Sequence, residues 1–151
     1  MIEIKFRAKT YKDKFYSDLA PSKWVYGFIT QFPKDFTWMH ISSDKQVMVM
    51  PDTVGQFTGL HDKDGNEIYE GDIVKNKEVD GYGLEHTGVV RYYEKDCRFG
   101  IDTTTTNKFT KRLLFTDGEC SFNDGHCTIK YYNEYEVLGN IFDNPELLKS
   151  L

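Results

Sequence analysis

Apolar residues recur along this chain mostly at every second position and in short runs, a period that belongs to strands rather than helices. The runs IEIKFRA, KWVYGFIT, FTWMHIS and QVMVM come first, and TGVVRYYE, RFGID, KRLLFTD and the long HCTIKYYNEYEVLGNIFD follow. Turn residues separate them: SSDK before QVMVM, DKDG at Asp62 to Gly65, TDGE at Thr116 to Glu119 and NDGH at Asn123 to His126. Asp-Gly supplies the positive φ that a tight hairpin demands. Hairpins at this spacing predict a mainly β fold, a barrel or strongly bent antiparallel sheet, and argue against parallel βαβ units. Helix signals are confined to DNPELLKSL, with Asn144 as N-cap, Pro145 at the first helical position and Glu146 in the first turn, and to one further turn in DTVGQ.

A chain of 151 residues fits one domain over 1–151, burying roughly 70% of the surface its unfolded form exposes. The 11 Phe and 10 Tyr suit strand surfaces better than a helical bundle. No apolar run approaches the ~20 residues of a membrane span, and MIEIKFRAKTYKDK has no apolar signal core, so the expected place is the cytoplasm, with no membrane. Cys97, Cys120 and Cys127 are an odd number without framework spacing, which fits reduced thiols. The net charge of -5 is uneven, because residues 1–23 carry six Lys or Arg against three acids. An acidic body repels phosphate backbones, while a basic segment attracts them locally.

Asp62, Asp64 and Asn66 alternate like calcium ligands, but Gly65 precedes Asn66 instead of following it, and Ile73 stands where a bidentate Glu belongs. A hairpin turn accounts for them better. Gly71 and Asp72 break the alternation of EIYEGDIVKN and predict a kink that starts a new strand, as in small SH3-like barrels. Cys120, His126 and Cys127 lack the close pair that structural zinc uses, and Asp124 beside them is explained by its turn. Phosphate-cradle motifs are absent, leaving DGYGLEHTGVV as a hairpin loop. Tyr92, Tyr93, Tyr131, Tyr132 and Tyr135 invite a base-stacking reading, yet Glu94, Asp96, Glu134 and Glu136 surround them. Adjacent tyrosines on a strand point to opposite faces, which assigns at least one of each pair to a core or a subunit contact. No catalytic, cofactor or metal site emerges.

VGQFTGLHDKDGNEIYEGDIV at Val54 to Val74 and EVLGNIFDNPELL at Glu136 to Leu148 closely resemble the YopX-like family of bacteriophages and prophages. IKFRA at Ile4 to Ala8 and WVYGFI at Trp24 to Ile29 match its opening blocks, and GVVRYY at Gly88 to Tyr93 stands where it has a glycine-led strand. The resemblance implies a mainly β protein with an SH3-like barrel element, additional strands and a short C-terminal helix, at work inside a bacterial host. It marks Gly55, Gly59, Gly65, Gly71, Asp72, Gly139, Asn140 and Pro145 as fold determinants and brings no catalytic residues with it. The expected function is a non-enzymatic accessory role through self-association and binding of a host or phage protein. The rival is nucleic-acid binding in phage replication or gene control through Lys5, Arg7, Lys9, Lys12, Lys14 and Lys23.

Overall fold

The computed structural model describes residues 3–11, 22–31, 37–42, 45–79, 85–103, 113–114, 118–121 and 128–149. These are mainly β, in two antiparallel sheets. The chain divides into two compact units, Met1–Gly59 and Leu60–Leu151.

The first unit holds β1 (Phe6–Lys9), β2 (Trp24–Gln31), β3 (Thr37–Ser42), β4 (Lys45–Val49) and the start of β5 (Gly55–His61), in the order β4-β3-β2-β1-β5. Alternation puts Phe6 and Ala8 on one face. The pairings Ala8 with Val25, Ile29 with Met39 and Met39 with Val47 extend that face across the sheet. Ala8, Met39 and Val49 are fully buried there, with Val25, Ile29, Ile41, Val47 and Val54 packed around them. Each aliphatic side chain buried this way contributes about 1.5–3 kcal/mol of transfer free energy. The sheet curls about this core until Val49 bridges Thr10 and the Met50 N–H donates to the Lys9 carbonyl at 2.8 Å. One bridge is not a ladder, and among the described residues the sheet is strongly bent but does not close into a barrel, the other form that the turn spacing allowed. Gly27 marks the tightest approach, since a Cβ there would overlap the His40 carbonyl. A 3-10 turn at Pro51–Thr53 falls within the DTVGQ region and its flank.

In the second unit β6 (Glu67–Tyr69), which pairs with β5 as the last strand of the first sheet, leads into a second sheet of β7 (Asp72–Val79), β8 (Glu85–Tyr93), β9 (Arg98–Asp102), β10 (Leu113–Leu114), β11 (Gly118–Ser121) and β12 (Thr128–Asn140). The strand order is β10-β9-β8-β7-β12-β11, again open. Ile68, Val74, Val90, Ile101 and Tyr135 form its core, with Leu60, Phe99 and Val137 against them.

The DKDG turn is held by Asp62, which is 8% exposed. Its Oδ1 accepts from the Asp64 and Asn66 N–H groups at 2.9 and 2.8 Å. Its Oδ2 accepts from the Asn66 side-chain amide at 3.0 Å and from the Val137 N–H on β12 at 3.4 Å. Gly65 takes φ 85°, as an Asp-Gly turn requires. Burial raises the Asp62 pKa, but these hydrogen bonds outweigh it and leave the carboxyl below its ordinary range. The kink at Gly71 (φ 86°) is likewise fixed by a carboxylate: Asp72, 1% exposed, accepts the Tyr69 N–H at 2.8 Å.

The C-terminal segment departs from expectation. Pro145 does open a helical turn, but Pro145–Lys149 is a five-residue 3-10 turn. The Asn144 side chain turns back to accept the Asn140 N–H at 3.3 Å, and the backbone N–H of Asn144 donates to the Asn140 carbonyl at 2.9 Å. A segment this short does not recover the cost of nucleating an α-helix.

Candidate binding surface

Lys5, Arg7 and Lys9 fall on alternate positions, and Arg7 and Lys9 therefore stand on the face of β1 opposite the buried Ala8. β1 lies between β2 and β5, pairing Arg7 with Tyr26 and Lys9 with Trp24 on one side and Arg7 with Gly55 on the other. The outer face of the first sheet thus brings a basic row beside the aromatic row Trp24, Tyr26 and Phe28. The Arg7 guanidinium lies 4.7 Å and the Lys9 ammonium 5.3 Å from the centre of the Trp24 ring. Lys5 sits 4.9 Å from that of Phe57, whose N–H donates to the Lys5 carbonyl. Such cation–π contacts order long, flexible side chains and fix where their charge is presented.

Exposure along the two rows is uneven. Arg7 is only 8% exposed, whereas Tyr26 is 51% and Phe28 60% exposed. His40, opposite Phe28 on β3, bonds to the Gln46 side chain at the rim. Lys5 also forms a 3.3 Å ion pair with Glu3. Glu3 and Asp52 are the acids of this unit among the described residues, against Lys5, Arg7, Lys9, Lys23 and Lys45. A positive field therefore accompanies the exposed rings.

The second unit's charged surface is arranged differently. Lys63, Lys75, Lys77, Glu85, Glu134, Tyr135 and Glu136 line a cavity of about 250 Å³. Its charges answer one another across strands: Lys75 lies 2.7 Å from Glu85 and Lys63 3.1 Å from Glu136. Hydrogen bonding and charge from Lys75 hold the Glu85 carboxyl below its ordinary range, and Glu136 raises Lys63 in the same way. Three cations and three anions leave no surplus charge for an ionic ligand.

The residues singled out in the sequence fall into separate roles. Gly55 lies buried opposite Arg7, and Gly59 takes φ 87° on β5. Gly139 lies so close to Asn144 that a Cβ would overlap its side-chain amide. Asn140 accepts from the Phe142 and Asp143 N–H groups at 3.0 and 2.9 Å. Lys23 is exposed at the head of β2, its N–H bonded to the Thr10 hydroxyl at 3.2 Å. Lys12, Lys14, Asp124, His126 and Cys127 lie outside the described residues, as do the side chains of Cys120, Tyr131 and Tyr132. Among the described residues no group of three His, Cys, Asp or Glu side chains is placed to hold a metal, and no helix is long and apolar enough to cross a membrane. Tyr135 belongs to the core, and Tyr92 packs edge-on against Phe99 with ring centres 5.2 Å apart. Among the described residues the most exposed rings are Tyr26 and Phe28, which the base-stacking reading of the sequence did not include. The signal for them is the W-x-Y-x-F alternation from Trp24 to Phe28.

A family model described as YopX protein matches residues 5–149. No curated protein matches the chain.

Proposed function

The chain belongs to the YopX protein family, and from that premise we propose that it is a non-enzymatic binding protein whose working surface is the outer face of the first sheet. The observation that carries this is the exposure of Tyr26 and Phe28 on the strand beside Lys5, Arg7 and Lys9. Exposed rings in a cluster mark contact surfaces, and rings accompanied by cations suit an anionic partner with flat apolar parts. Nucleic acid therefore comes first as the occupant. Self-association, or binding of a host or phage protein, is the second reading, favoured by the same two rings. An absence of catalysis is supported by the use of the best-placed carboxylates, Asp62 and Asp72, as acceptors for backbone N–H groups. A phage or prophage accessory role in the bacterial cytoplasm, with SH3-like character in the strands, completes the proposal; these follow from the family resemblance.

The test is affinity purification of the tagged protein from lysate of a bacterial host, with and without nuclease, followed by sizing. Nuclease-sensitive material absorbing at 260 nm is the expected co-eluting species. A nuclease-resistant protein partner, or a bare homo-oligomer with no nucleic acid, would hand the surface to the second reading.

A further inference from the structure

We propose that the outer face of the first sheet binds single-stranded nucleic acid, with Tyr26 and Phe28 stacking on bases and Lys5 and Lys9 contacting phosphates. This inference rests on the binding role just described and narrows it to one ligand form and to separate residue roles. Tyr26 and Phe28 are two residues apart on β2, which places them on one face about 6.7 Å apart along the strand. That spacing offers two successive stacking positions to an extended strand. A duplex keeps its base faces inside its own stack, so rings on an open sheet reach them only when the bases are splayed.

The cations divide by burial. Arg7, 8% exposed and set against Trp24, is a positioning residue: its charge adds to the field, while its burial keeps it from phosphate. Lys9 lies against the same ring and is partly exposed, and Lys5 is partly exposed beside Phe57. The Lys9 ammonium lies over Trp24 in the same row as the two exposed rings, and the Lys5 ammonium over Phe57 on the far side of β1, so the two cations mark the path a phosphate backbone would take past stacked bases. Glu3, 3.3 Å from Lys5, competes with that backbone, and Glu3→Gln is therefore expected to tighten binding.

The occupant is argued from charge complementarity. Residues 1–59 hold eight Lys or Arg against six Asp or Glu, and residues 60–151 hold eleven against eighteen. The unit carrying the exposed rings is the one with net positive charge. A protein partner would need only the rings, whereas a single strand uses rings and cations together.

The test is fluorescence anisotropy with labelled oligo-dT and oligo-rU of about 12 nucleotides, beside a mixed-sequence duplex, from about 50 to about 200 mM salt. Binding to either single strand is expected, with affinity falling as salt rises at a log–log slope of about -1.4 for two phosphate contacts. Tyr26→Ala and Phe28→Ala should each weaken binding about fivefold to a hundredfold, with unchanged circular dichroism. Tyr26→Leu and Phe28→Leu keep apolar bulk but lose the aromatic face, and an equal loss in these variants identifies stacking. Duplex bound as tightly as single strand and unaffected by the ring substitutions would overturn the inference while leaving nucleic-acid binding standing. No binding to any oligonucleotide at low salt, with an oligomer that Tyr26→Ala and Phe28→Ala disperse, would overturn both and make the face a protein contact.

Discussion

The two units use the same antiparallel architecture, and they differ in how they treat the sheet face turned away from the core. In the second unit, cations and anions alternate across neighbouring strands and close on each other, as Lys75 does with Glu85 and Arg91 with Asp102 at 3.3 Å. In the first, basic residues lie against Trp24 and Phe57, and two neighbouring rings on β2, Tyr26 and Phe28, remain open to solvent. Pairing charges across strands makes a surface inert. Setting cations over rings retains their field and holds it in place, which favours the first unit as the one that meets a ligand.

The comparison breaks most severely where backbone packing permits no side chain. Gly27→Ala in the first unit and Gly88→Ala in the second would each drive a Cβ into a backbone carbonyl, of His40 and of Asp102 respectively. Each is expected to cost about 3 kcal/mol or more, read as a lower urea midpoint. A midpoint unmoved by either would show that the neighbouring strands, β2 with β3 or β8 with β9, do not approach as described.

Next in size is Asp72→Ala, which strips the acceptor from the buried Tyr69 N–H and should cost about 2–3 kcal/mol by the same measurement. Asp62→Asn weakens acceptance from the Asn66 and Val137 N–H groups and is expected to cost about 1–2 kcal/mol at neutral pH. The Asp62 carboxyl has a lower pKa folded than unfolded. Its contribution is therefore complete above the unfolded value of about 3.9 and is lost as pH falls through the lower folded value. Denaturation midpoints collected from pH 6 down to about 2 should fall less steeply in Asp62→Asn than in the parent, and parallel curves would remove Asp62 from acid stability.

The smallest effect sharpens the contrast between the outer faces. Glu85→Gln opens an exposed ion pair and should leave the urea midpoint unchanged, as surface pairs usually do. It should leave oligonucleotide binding unchanged as well, whereas Lys9→Gln should weaken binding and flatten its salt dependence by about 0.7. Equal effects from the two substitutions would erase the distinction between the faces.

Much of this was legible in the sequence, within clear limits. The alternation of Lys5, Arg7 and Lys9 and that of Trp24, Tyr26 and Phe28 are both visible as strand patterns. Their meeting is not, because it depends on the register that sets Arg7 against Tyr26, and residue types alone do not determine register. The Asp-Gly turn at Asp64 and Gly65 could be read locally. The reach of Asp62 to Val137 could not, since it joins residues 75 positions apart. At the C-terminus the proline announced a helical turn, but not that Asn144, read as its N-cap, would turn its side chain back to the Asn140 N–H.

Asp62 acts, in kinetic terms, as a latch. A contact across 75 positions forms only after a long loop has closed, and the entropy of that closure is spent before the carboxylate gains its last donor. Bonds made after the rate-limiting step govern how fast a finished protein comes apart more than how fast it assembles. Stopped-flow refolding and unfolding of Asp62→Asn should accordingly show a nearly unchanged folding limb and faster unfolding, and a slowed folding limb would place the turn in the nucleus instead. With the folding limb unchanged and unfolding faster, a residue whose spacing first suggests a calcium ligand would be one that lengthens the lifetime of the folded second unit.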